Sequence, residues 1–205
     1  IFRYPDTILT AYGVTIMVTA VGTLIGLVLI SMTGYVLSRK SFKYRNAISF
    51  FIYFTSIFGG GLVPWYMMYT NVLKLKDSFW ALILPNVMSP FLIILMRTFI
   101  KDLIPDSVIE SAKLDGAGEF RIYTQITLPV CKPALATIGL FLALGYWNDW
   151  YLSSMFIETP SKYMLQFYLY NMINSVQALA SLAARNPHIT IQNLPTESVK
   201  MAMAV

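Results

Sequence analysis

The sequence predicts an all-α protein, a polytopic bundle of transmembrane helices that carries a polar helical hairpin at one end. Three observations predict it. Of the 205 residues 57% are hydrophobic and 12% are charged, about half the charge of an ordinary soluble domain. The apolar residues fall in runs long enough to cross a bilayer, which takes roughly 20 residues of helix. Between two such runs, "ESAKLDGAGEFRIYTQITLP" at 110–129 mixes acids, bases and glycines, and it interrupts an otherwise oily chain.

Four spans follow in order, at residues 8–37, 47–69, 78–100 and 133–157. "SRKSFKYRN" joins the first two and packs Arg39, Lys40, Lys43 and Arg45 into a short loop. Short loops rich in Lys and Arg stay cytoplasmic. Alternation then places the N-terminus outside, "NVLKLKD" outside, the polar hairpin inside and everything after residue 157 outside; the outer "KLK" is a mild exception. The net charge of +5 is therefore spent on topology and does not imply nucleic acid. Cys131 alone forms no internal disulfide, and the lone His188 has no companions at metal-ligand spacing. No cleavable leader is visible at the N-terminus, and "ESVKMAMAV" stops as an apolar run begins, which suggests that a further span follows.

Breakers sit inside two spans: Gly59, Gly60, Gly61 and Pro64 in the second, Pro85 and Pro90 in the third. They fit ordinary close packing or helices that bend during a gating cycle, since a carbonyl freed in lipid needs a protein partner or a wet cavity. "YWNDWYL" puts Asn148 and Asp149 within the fourth span. A carboxylate at membrane depth is costly and usually faces a cavity or a partner, so Tyr146, Trp147, Asn148 and Asp149 are candidates for a translocation path or a subunit interface. The alternative is an interfacial aromatic belt. Residues 158–195 form a long outer segment, with helical composition up to Arg185 and then an irregular stretch bounded by Pro187 and Pro195. It is longer than a connector needs to be.

The hairpin at 101–132 reads as two helices. The first, at 106–115, starts after Pro105 with Ser107-x-x-Glu110 resembling a capping box and ends at Gly116 in a left-handed cap. The second runs over 117–125, with Pro129 and Pro133 closing the segment. The charges balance, no nucleophile–base pair and no phosphate loop is present, and the shape suits docking onto another protein.

Glu110-Ser111-Ala112, three residues, Gly116, nine residues and Ile126-Thr127-Leu128-Pro129 resemble the EAA motif of binding-protein-dependent ABC importer permeases, with Ser at the second position. Asp115-Gly116-Ala117 and the following "ITLP" are typical of that family. "LSRKSFKYRN", "GLVPWYMMY" and "YWNDWYL" are similar to its carbohydrate-uptake branch, the maltose-type second permease and the LplC-like group. The resemblance covers nearly the whole chain as one permease domain, residues 1–205, and lacks only the family's first and last helices.

The resemblance implies a permease subunit of an ATP-driven importer for an oligosaccharide. It would pair with a second homologous permease, two cytoplasmic ATPase subunits and an extracytoplasmic solute-binding protein in the bacterial inner membrane. ATP and magnesium would belong to the ATPases, leaving this chain with no cofactor and no catalytic residue. Glu110, Ser111, Ala112, Leu114, Asp115, Gly116, Ala117, Ile126, Leu128 and Pro129 would make up the coupling site. The last outer loop, with Ala180, Arg185, Asn186, His188 and Gln192, would contact the binding protein. Glu110 then has two competing roles, cap and docking acid. The rival from another class is an ion-coupled secondary transporter using Asp149, which would need no docking hairpin.

Overall fold

The computed structural model describes residues 5–185. Among these every regular element is a helix or helical turn, with no strand. Helix α1 (Pro5–Ser38) is 34 residues long, about 51 Å at 1.5 Å per residue, enough to cross a bilayer and project beyond it. It is apolar on all faces: α5 (Pro90–Leu103) and α9 (Lys132–Trp147) pack along part of it, while Leu24 and Val28 stay exposed on the rest. Two cores result. Near one end Ile30 and Leu37 meet Met96, Ile100, Ile122 and Ile138. Near the other Val14 and Val18 meet Leu82, Tyr146, Phe156 and Met164. Gly22 sets the closeness of α1 and α9, since a Cβ there would lie 2.5 Å from the Tyr146 ring.

Of the four expected spans only the first is one helix. Among the described residues one helix is long and apolar enough to cross a membrane, Thr7–Ser38, or up to four spans if each bent pair counts as one. The second expected span divides into α2 (Arg45–Ile57) and α3 (Leu62–Met67), the latter continued by a π turn at Met68–Val72. The two parts meet at 113°. Three glycines at 59–61 give the chain no side chain to pack, Gly61 takes φ +87°, and Pro64 suits the first turn of the new helix. The third span bends by 49° between α4 (Phe79–Ile83, with the tight turn Leu84–Asn86) and α5. Pro90 has no N–H to continue a helix and so begins one. The fourth breaks at Asn148: α9 stops at Trp147 and α10 (Tyr151–Phe156) starts afresh.

The polar ends sort as alternation requires. Lys40 Nζ pairs with Asp106 at 2.5 Å, so the basic loop and the hairpin share one end. At the other, Asp77 pairs with Lys162 at 2.7 Å and Lys76 with Glu158 at 2.7 Å. The chain leaves that second end through α11 (Leu165–Arg185), whose first amide, Leu165 N–H, donates to Thr15 Oγ1 of α1 at 2.9 Å.

Candidate functional site

The polar hairpin begins with α6 (Asp106–Leu114). Its inner face buries Ile109 and Ala112 in the core under α1, which leaves Glu110, Ser111 and Leu114 facing out; Leu114 is 90% exposed. The expected capping box is absent. Pro105 occupies the cap position, so Ser107 lies inside the first turn and no side chain caps the helix. Glu110 therefore has no capping task, and among the described residues its carboxylate has no hydrogen bond or ion pair. Asp106, by contrast, is held below the usual carboxylate range, chiefly by its hydrogen bond from Lys40.

At the far end the expected left-handed cap is present in full. Gly116 takes φ +79°, its N–H donates to Lys113 O at 3.0 Å, and the Ala117 N–H donates to Ala112 O at 2.9 Å. This pair of bonds is the Schellman closure. It uses the Ala117 amide, so the second helix, α7 (Glu119–Ile122), starts two residues later than expected, from Gly118 in an extended conformation. It then relaxes into a π turn at Tyr123–Thr127 and a short α8 (Leu128–Val130). Ile126 and Leu128 turn half-buried against the core, whereas Asp115 and Pro129 stay exposed. Phe120, 72% exposed, lies beyond the turn from Leu114.

Residues outside the motif fix the hairpin to the bundle. Glu119 accepts from Lys113 Nζ through Oε1 at 2.6 Å and from Tyr35 Oη of α1 through Oε2 at 2.6 Å. Tyr123 Oη shares a 2.8 Å hydrogen bond with Ser31 Oγ of α1, and the Tyr35 and Tyr123 rings meet at 5.3 Å. The sequence reading missed these four residues. Their partners lie 84 and 92 positions apart, and no local spacing marks them. The resulting site is a solvent-facing acid and two apolar side chains on a hairpin tied rigidly to the axle helix.

The second candidate set is engaged inside the chain. Asp149 Oδ2 accepts from Asn86 Nδ2 at 2.9 Å and its Oδ1 accepts the Leu152 N–H at 2.9 Å, so one carboxylate caps α10 and ties it to the third span. Tyr146 is 1% exposed and its hydroxyl donates to Ile83 O at 2.8 Å. Its ring is core and is not presented to a pathway here. Asn148 donates to Leu144 O at 3.0 Å, and Trp147 lies 6.4 Å from the Tyr12 ring. Of the outer set, Ala180 and Arg185 fall in α11, while Asn186, His188 and Gln192 lie outside the described residues.

Comparison with known proteins gives one consistent result. The family model described as "binding-protein-dependent transport system inner membrane component" matches residues 22–185. Protein LplC of Bacillus subtilis (strain 168) is 37% identical over 207 residues, covering 100% of this chain and 68% of LplC. The polygalacturonan/rhamnogalacturonan transport system permease protein YtcP of the same organism is 33% identical over 211 residues, covering 100% of this chain and 71% of YtcP. A solved bacterial ABC transporter involved in the import of the acidic polysaccharide alginate superposes with a TM-score of 0.83 at 29% identity, over 98% of this chain and 70% of that one.

Proposed function

The chain belongs to the family of binding-protein-dependent transport system inner membrane components, and on that premise we propose how it works and what it carries. It is an ABC importer permease, a transport subunit and not an enzyme. It crosses the bacterial cytoplasmic membrane several times and lines, with a second homologous permease, the path of an oligosaccharide. Two cytoplasmic ATPases bind ATP and magnesium and seat the hairpins, and a solute-binding protein delivers the sugar at the outer end near α11. Uronic-acid oligosaccharides are the favoured cargo, because YtcP and the alginate importer are both named for acidic polysaccharides.

The observation that carries this reading is the hairpin itself. Glu110, Leu114 and Phe120 point into solvent, while Glu119 and Tyr123 bond to α1. A partner that moves the outward face therefore moves the axle helix and, with it, both cores. The ion-coupled alternative gains nothing from the geometry, since both oxygens of Asp149 are already engaged.

Proteoliposomes holding this permease, its homologous partner and the ATPases, supplied with the binding protein, test the reading. Uptake of labelled oligogalacturonate is expected with internal-facing ATP and absent with an imposed proton or sodium gradient alone. Uptake driven by a gradient without ATP would reject it.

A further inference from the structure

At the cytoplasmic end, the close of α1, the start of α2, the end of α5 and the start of α6 enclose a cavity of about 300 Å³. Arg39, Lys40, Arg45 and Lys101 line it with one carboxylate, Asp106; four cations less one anion leave an excess of +3. Asp106 pairs directly with Lys40 and reaches Arg39, Arg45 and Lys101 only through space, so one carboxylate is shared among four cations. Arg39 is 8% exposed, and its Nε and Nη1 are buried without a hydrogen-bond partner. Its guanidinium carbon lies 5.0 Å over the Tyr35 ring, which favours the charge but leaves Nε and Nη1 without an acceptor. Such a planar fork fits an oxyanion. The nine-residue α6 opens on the same cavity with no side chain on its first-turn amides, adding the positive end of its dipole.

The other walls are apolar: Ile100, Ile104 and Pro105. Phe42 lies in the turn between Arg39 and Arg45, its N–H bonded to Arg39 O and its carbonyl to the Arg45 N–H. It also lines an apolar groove of about 360 Å³ that runs along α1 beside Val36 and Ile48. One turn of chain thus presents cations to the cavity and a ring to the groove.

We propose that this cavity binds the phosphate of an anionic phospholipid from the cytoplasmic leaflet, held by Arg39, Arg45 and Lys101, with an acyl chain against Phe42. Basic pockets between membrane helices at the cytoplasmic face suit such headgroups. A lipid source fits better than a soluble anion because the site stands where the span of α1 ends and is continuous in chain with an apolar groove.

The test uses the purified complex taken from vesicles of phosphatidylglycerol and phosphatidylcholine in equal parts, with retained lipid counted by native mass spectrometry. Wild type is expected to retain phosphatidylglycerol in preference to phosphatidylcholine. Arg45→Gln and Lys101→Gln, at solvent-reachable positions, are each expected to lower that retention about five-fold in a complex that still assembles with the ATPases. Arg39→Lys, which keeps charge without the fork, should lower it as well. Millimolar inorganic phosphate should displace nothing. Equal retention of the two lipids, wild-type retention in the glutamine variants, or displacement by inorganic phosphate would each overturn the proposal. So would loss of the ATPases from Arg45→Gln with lipid retention intact, since that would make the occupant a protein carboxylate.

Discussion

Glu110 and Gly116 stand six residues apart and are constrained by opposite facts, one by what its side chain leaves undone and the other by having none. Because α6 starts at Asp106, Glu110 does no capping, so glutamine and alanine remove the same thing there: a free negative charge. Both Glu110→Gln and Glu110→Ala are expected to insert normally and to lower ATP-driven uptake about ten-fold, the loss of about 1.4 kcal/mol of docking. Full transport by the glutamine variant would reject the docking role. At Gly116 a Cβ would meet nothing within 4 Å, so the φ of +79° is the only objection to a side chain. Gly116→Val should then destabilise the turn by about 1–2 kcal/mol, while Gly116→Asn, which tolerates the left-handed region, should lose little; differential hydrogen exchange at the Ala117 amide reads both. Gly22 is the reverse case, closed by space and not by φ. Gly22→Ala should cost about 1–3 kcal/mol by overpacking against Tyr146, and the added change Tyr146→Leu should recover part of it in thermal unfolding. The motif spacing made Glu110 and Gly116 legible in the sequence. The use of Asp149 was not, because its partner Asn86 lies 63 residues away and only the packing of the third span against the fourth brings them together.

Helix positions could be read from the run lengths, but helix directions could not. The run of 47–69 is apolar enough to be one span, yet three consecutive glycines turn it through 113°, and hydropathy carries no sign of the angle. The same holds for the Pro90 bend and the Asn148 break. At the outer end these interruptions leave short elements that need tying, and Asp77 ties them. Its Oδ1 accepts the amides of Glu158 and Thr159 at 3.2 and 3.1 Å, and its Oδ2 accepts the Thr159 hydroxyl and Lys162 Nζ, both at 2.7 Å. Asp77 takes φ +55°, a region Asp and Asn enter more readily than most residues. Lys162 first, and then Thr159, hold its carboxyl well below the usual carboxylate range. A carboxyl lowered in the folded chain contributes its full stabilisation above the unfolded value, near 3.9, and loses it as pH falls from there toward the folded value. Protection of the Glu158 and Thr159 amides from hydrogen exchange is therefore expected to be flat from about pH 5 to 8 and to decline below about pH 4. Asp77→Ala should abolish the plateau. A decline that begins near neutral pH would assign the clasp to another group.

For the whole molecule, the two ends are what the distribution of charge in the sequence predicts. Basic loop and hairpin meet at one end through Lys40 and Asp106, and "KLKD" meets the segment after residue 157 at the other through Asp77 and Lys162. These contacts join segments 66 and 85 residues apart in the chain, which is the pairing that the alternation of the four expected spans would give. What joins the ends is α1, which no charge pattern marks as central: its even apolarity reflects burial against α5 and α9 on some faces and exposed Leu24 and Val28 on others. The orientation itself is open to a direct measurement. Cys131 is fully buried, so it should stay silent to a membrane-impermeant thiol reagent, and single cysteines can be introduced into the native background. In intact cells Lys74→Cys and Ser161→Cys, in the outer loops, are expected to label at once. Ser41→Cys and Ser107→Cys should label only after the membrane is permeabilised. Labelling of all four from outside would mean that the basic loop and the hairpin are not cytoplasmic, and the ATPase could then not reach Glu110.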